Sequence, residues 1–238
     1  MDVIELLPRL HLLRFPVGQA YLWCDGDELT LVDAGPAGSG RVIADAVTAL
    51  GHSPGAVRRV VLTHFHEDHA GGAAEFAALS GAEVLAHSAD AAVLRREVPA
   101  PPPLLRDWER PLHAAALRLL PEGDFERPSR VSELSDGDVL AFGGGAHVLH
   151  VPGHTDGSIA LHLPHQGVLF TGDTIAASPV DGSVVPGVFN LDGSGVLAAL
   201  HRLAALDTRI ACFGHGSPVT ENASDVLREA ADRSGAMR

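Results

Sequence analysis

Lysine is missing from this chain. All 17 basic side chains are arginines, set against 30 acids for a formal net charge of −13. The arginines form no stripe of the kind that neutralises a phosphate backbone, so nucleic acid is a poor partner. Any fixed positive side chain offered to an anionic substrate is then a guanidinium. Cysteine is nearly absent: Cys24 and Cys212 cannot make a disulfide framework and are expected as reduced, packed side chains. No apolar run reaches the roughly 20 residues of a membrane helix, and no membrane partner is expected. The stretch Met1–Phe15 lacks the basic start and unbroken apolar core of an export signal, so a cytoplasmic location is expected.

What remains is ordinary for a globular protein. Of 238 residues, 46% are hydrophobic and 20% charged, enough for a sizeable core in a single domain over 1–238. Runs of β-branched and aromatic residues closed by Gly, Asp or Pro predict strands at Tyr21–Cys24, Leu29–Asp33, Val60–Thr63, Glu83–Ala86, His147–Val151, Ile159–Leu163, Val168–Thr171 and Ile210–Phe213. Helical periodicity marks Gly40–Leu50, Ala70–Leu79, Ala89–Arg95, Ser194–Leu206 and Asn222–Ala231. The rhythm breaks at about 98–130, where Pro99, Pro101, Pro102 and Pro103 precede Trp108. This segment reads as an inserted loop or short helical cap.

The densest chemistry lies in Thr63-His64-Phe65-His66-Glu67-Asp68-His69-Ala70-Gly71-Gly72, directly after an apolar strand. Neutral imidazole and carboxylate are ligands that zinc, iron and manganese share, and a strand turning into a helix can fan them around an ion. A His-rich exposed turn with Asp68 as a helix cap would explain each residue singly but not the combination. Further along stand Leu31-Val32-Asp33-Ala34-Gly35, then Pro152-Gly153-His154-Thr155-Asp156-Gly157-Ser158, then Phe170-Thr171-Gly172-Asp173-Thr174, and Phe213-Gly214-His215-Gly216. Glycine flanks these candidate ligands repeatedly, as a side chain aimed from a tight turn requires.

The His-x-His-x-Asp-His pattern and the four accompanying segments, in this order, resemble the metallo-β-lactamase superfamily. The resemblance implies an α+β fold, an αβ/βα sandwich of two mixed β-sheets flanked by helices. It implies that His64, His66 and His154 bind one metal, that Asp68, His69 and His215 bind a second, and that Asp173 bridges them, with Asp68 and Asp173 the catalytic carboxylates. The cofactor would be two divalent ions, zinc first, with iron or manganese as alternatives. Asp33, and with a weaker claim His87 and His150, are candidates to hydrogen-bond the ligands from behind. Thr63, Thr155 and Thr174 are expected to bond within their own turns. Glu67 is expected to point away from the metals.

Two metals and no evident protein nucleophile point to a metal-activated hydroxide attacking an electrophilic centre. Fold alone does not choose the substrate. The missing lysine and a chain that ends soon after His215 weigh against a glutathione-gripping glyoxalase II, and the only tyrosine, Tyr21, weighs against an acyl-homoserine lactonase. The expected reaction is hydrolysis of a small-molecule ester, thioester or lactone. The alternatives are a β-lactamase-like amide hydrolase and an iron persulfide dioxygenase. Trp108 is a candidate wall of the substrate pocket, with packing of the cap or a homo-oligomer interface as its rival role.

Overall fold

The computed structural model describes residues 1–235, which fall into two compact units: Met1–Ala100 with Pro111–Leu134, and Pro101–Arg110 with the chain from Ser135 onward. The boundary therefore runs through the proline-rich insertion.

In the first unit, β1 (Asp2–Leu7), β2 (Leu10–Arg14), β3 (Gln19–Asp25), β4 (Glu28–Val32), β5 (Val57–Val61), β6 (Glu83–His87) and β7 (Ser132–Leu134) form one sheet in sequence order. Tight turns make β1 to β4 antiparallel, whereas longer crossovers make β4 to β7 parallel. The crossovers carry α1 (Ser39–Ala49), the short α2 (Glu67–Ala70) and α3 (Ala73–Ser80), and α4 (Ser88–Leu94) follows β6. Strands β1 and β2 were not read from the sequence as strands. The apolar run of β2, Leu10 to Leu13, is nevertheless buried throughout.

The core gathers Leu22, Leu29, Leu31, Ile43, Val47, Val60, Leu62 and Phe76. Helices α1 and α3 approach so closely at Gly40 that a Cβ there would press on the Phe76 backbone nitrogen, and Glu75 Oε2 accepts the Gly40 amide at 2.9 Å. Only glycine fits such a crossing.

In the second unit, β8 (Val139–Leu140), β9 (Ala146–His150), β10 (Ile159–Leu163) and β11 (Val168–Phe170) form an antiparallel run, and β14 (Ile210–Cys212) joins β11 in parallel. A separate hairpin pairs β12 (Ile175–Ala177) with β13 (Val184–Pro186). The insertion contains α5 (Glu109–Leu117), while α6 (Gly193–Ala204) and α7 (Ala223–Gly235) pack on a core of Val151, Leu200, Leu203, Phe213 and Leu227. No helix among the described residues is long and apolar enough to cross a membrane.

Both cysteines are free and buried, and burial pushes both thiols above their ordinary range. Little thiolate is then available to react. Iodoacetamide should leave the native protein unlabelled at pH 8 and modify both thiols after unfolding. Rapid native labelling would contradict the packing. Phe76→Ala, which empties a fully buried site, should cost about 3–5 kcal/mol in denaturant unfolding.

Candidate functional site

In the first unit, the donors follow the C-terminal end of β5. Leu62 continues the sheet by donating to Leu85 O at 2.8 Å, after which the chain turns through His64 and Phe65 into α2. His66 is the N-cap residue of α2, and Asp68 and His69 lie within that helix. The His64 ring stands 4.8 Å from that of His66 and 4.2 Å from that of His69, centroid to centroid. Asp68 Oδ2 is 3.7 Å from His69 Nε2.

Asp33 organises this cluster from the end of β4. Its backbone is left-handed, with φ 60°, an uncommon conformation for a residue bearing a Cβ. Its Oδ1 accepts the Thr63 amide at 2.7 Å, and its Oδ2 accepts the Thr63 hydroxyl at 2.8 Å and lies 2.9 Å from His69 Nδ1. Because the Thr63 hydroxyl gives its proton to Asp33, it accepts from His64 Nδ1, 3.0 Å away. One carboxylate thus puts the proton of both imidazoles on Nδ1 and makes Nε2 the lone-pair nitrogen of each ring. Thr63 departs from the expectation of a purely local turn bond. Burial pushes the neighbouring Glu67 carboxyl up, and Asp68 adds to the effect.

In the second unit, strand register does the placing. Phe170 on β11 pairs with Cys212 on β14, in parallel. Three residues beyond each partner stand Asp173 and His215, so the two side chains leave the same sheet end. Asp173 Oδ2 lies 3.1 Å from His215 Nε2 and 3.6 Å from His154 Nε2. His154 comes from the turn joining β9 to β10, where Val151 N donates to Ser158 O and the Thr155 amide donates to Ser158 Oγ. Gly153 has φ 142°, and a Cβ on it would collide with the Val196 amide. Of the other flanking glycines, Gly172 and Gly216 have positive φ, but Gly214 does not. His154 Nδ1 faces Asn190 Oδ1 at 3.0 Å, and the Asn190 amide donates to Gly187 O at 2.8 Å, which fixes its orientation. Here too the imidazole donates from Nδ1, so Nε2 carries the lone pair.

Histidine and aspartate groups of this chain can hold a metal ion, and the borderline nitrogen and hard oxygen donors fit zinc, iron or manganese. His87 Nδ1 accepts the Ala89 amide at 3.3 Å, capping α4, and His150 Nε2 lies 2.8 Å from Asp156 O. Trp108 is 53% exposed. Two supporting residues escaped the sequence reading. Asn190 is a lone amide in a loop with no spacing signal, and Asp90, within the predicted helix Ala89–Arg95, accepts the Phe65 amide at 3.0 Å.

The family model of the metallo-beta-lactamase superfamily matches residues 13–215. The acyl-coenzyme A thioesterase MBLAC2 of Gallus gallus is 35% identical over 163 residues, covering 63% of this chain and 51% of that protein. A hydroxyacylglutathione hydrolase of Cereibacter sphaeroides is 32% identical over 160 residues, covering 66% of this chain and 48% of that protein. The chain thus spans about half the length of these relatives. The crystal structure of the metallo-beta-lactamase SMB-1 superposes with a TM-score of 0.74 at 21% identity, covering 100% of this chain and 96% of that one. That likeness shows the fold, mixed sheets flanked by helices, as the sequence led us to expect. The chain belongs to the metallo-β-lactamase superfamily.

Proposed function

We propose that the chain is a metal-dependent hydrolase of a small-molecule ester, thioester or lactone, with a thioester favoured. His64, His66 and His154 would hold one divalent ion and Asp68, His69 and His215 a second, with Asp173 shared. The observation that carries this reading is the arrangement of bonds behind the imidazoles. His64, His69 and His154 each have Nδ1 engaged by an oxygen, which leaves Nε2 as the donor. Three imidazoles whose Nδ1 is held in the same way present the same nitrogen, Nε2, with its lone pair. The Asp173 carboxylate, beside the Nε2 atoms of both His154 and His215, supports its role as the common ligand.

Bound divalent metal would supply acidity, generating a hydroxide near neutral pH, and would polarise the substrate carbonyl. The chain's own residues hold the ligands in place. Asp33 fixes His64 through Thr63 and His69 directly, and Asn190 fixes His154. Zinc is the first expectation and iron or manganese the alternatives. The preference for a thioester rests on the names of two relatives, a thioesterase and a hydroxyacylglutathione hydrolase. With no lysine, any anionic carrier on that substrate would meet arginine alone.

Purified protein should carry about two divalent ions per chain, the number a shared carboxylate serves. Asp173→Ala should lose at least one ion and most turnover in a screen of esters, thioesters, lactones, β-lactams and phosphodiesters. Both ions and full turnover in that variant would remove Asp173 from the centre. Oxygen uptake with persulfides and no hydrolysis would sink the hydrolase reading altogether.

Trp108, in the insertion, is proposed as a substrate contact. Trp108→Ala should raise KM or alter substrate preference with metal content intact. Unchanged kinetics with altered stability or oligomeric state would assign it to packing or to a subunit interface.

A further inference from the structure

The strap Pro101–Arg110 belongs to the second unit, and its hydrogen bonds converge on one loop. The Leu104 amide donates to Asn190 O at 2.9 Å. Glu109, although a carboxylate, is only 4% exposed. Its Oε2 accepts the Arg106 amide at 2.7 Å, closing the strap on itself, and its Oε1 accepts the Phe189 amide at 3.2 Å. A carboxylate is costly to bury unless such bonds satisfy it, and bonds to an ionised acceptor are stronger than neutral ones. An apolar residue would have covered the loop without specifying which amide lies beneath it.

The grip falls at a sensitive place. Phe189 is left-handed, with φ 60°, a conformation that persists in a bulky residue only where its surroundings impose it. The next residue is Asn190, whose amide faces His154 Nδ1, while Leu191 N donates to His154 O at 3.2 Å and Asp192 N to Gly153 O at 2.8 Å. Side chain and backbone of His154 are thus both referenced to the loop that Glu109 holds.

We propose that Glu109 is a positioning residue for His154, acting through Phe189 and Asn190, so that the proline-rich strap sets the tautomer and aim of this one imidazole. The consequence for metal affinity rests on the metal-binding reading above. The consequence for the imidazole does not, because it can be read in metal-free protein.

The test therefore has two arms. In metal-free protein, the ring nitrogens of His154 are followed by ¹⁵N NMR at fixed pH. In the second arm, Zn²⁺ is titrated against a chromophoric chelator. In wild type, His154 should hold its proton on Nδ1. Glu109→Ala and Asn190→Leu should each let it average over both nitrogens and weaken one of the zinc equivalents about 10–100-fold, leaving the other unchanged. Asn190→Asp, which keeps an oxygen facing Nδ1, should restore the wild-type tautomer. The double variant should be no worse than Asn190→Leu alone, since both act along one path. If Glu109→Ala does not fold, Glu109→Gln, which keeps one acceptor, takes its place in the same comparison. A Glu109 variant that lowers Tm while His154 keeps its wild-type tautomer overturns the proposal, as does additivity in the double variant. Wild type that binds no zinc but shows the tautomer effect would overturn the metal reading alone.

Discussion

The donor cluster of the first unit depends on Asp33. A single buried carboxylate accepts from the backbone and hydroxyl of Thr63 and faces His69 Nδ1, and through the Thr63 hydroxyl it determines the proton on His64. A carboxylate buried to this degree is tolerable only with its oxygens fully engaged, so its partners cannot drift without exposing an uncompensated charge. The left-handed backbone at Asp33 is part of the same arrangement. Its amide still donates to Val61 O at 2.9 Å, and Ala34 N reaches His69 O at 2.7 Å, so the strand end and the donor helix are sewn together on both sides of the strained residue. Local strain is thereby held by the surrounding bonds.

The second unit reaches a comparable result by other means. Adjacent parallel strands deliver Asp173 and His215, each three residues beyond a paired position. The Asp173 carbonyl is backed by Gly187, where a Cβ would overlap the carbonyl oxygen. His154 depends on an amide from a loop, and that loop on a strap distant in sequence. The three donors thus rest on supports of different kinds, a sheet register, a glycine contact and a hydrogen-bonded clasp.

Much of this was legible in the sequence where a signal is local and chemical. Consecutive His and Asp residues after an apolar run identify a donor cluster, and runs such as Ile159–Leu163 match their strands residue for residue. The N-terminal strands were missed because acids and short apolar stretches in Asp2–Arg14 resemble an irregular segment until a neighbour sheet edge pairs with them. Asn190 and Glu109 were illegible for a related reason. Their significance lies in a partner tens of residues away, and a lone amide or carboxylate carries no periodicity. Thr63 looked like a turn residue, and only the position of Asp33 shows which way its hydroxyl proton must go.

The pairing of β11 with β14 also bears on how such a chain can change length. Phe170 and Cys212 are locked side by side, and Asp173 and His215 each stand the same number of residues further on. Deleting or adding one residue in either turn would rotate its donor away from the other, and no compensating shift is available, because slipping a strand by one position swaps the two faces on which its buried side chains pack. Length variation is therefore excluded from these two short turns and displaced to segments such as 98–130, where added residues disturb no strand register. Homologues of this architecture should differ in the size of their inserts while their ligand-bearing turns stay fixed in length.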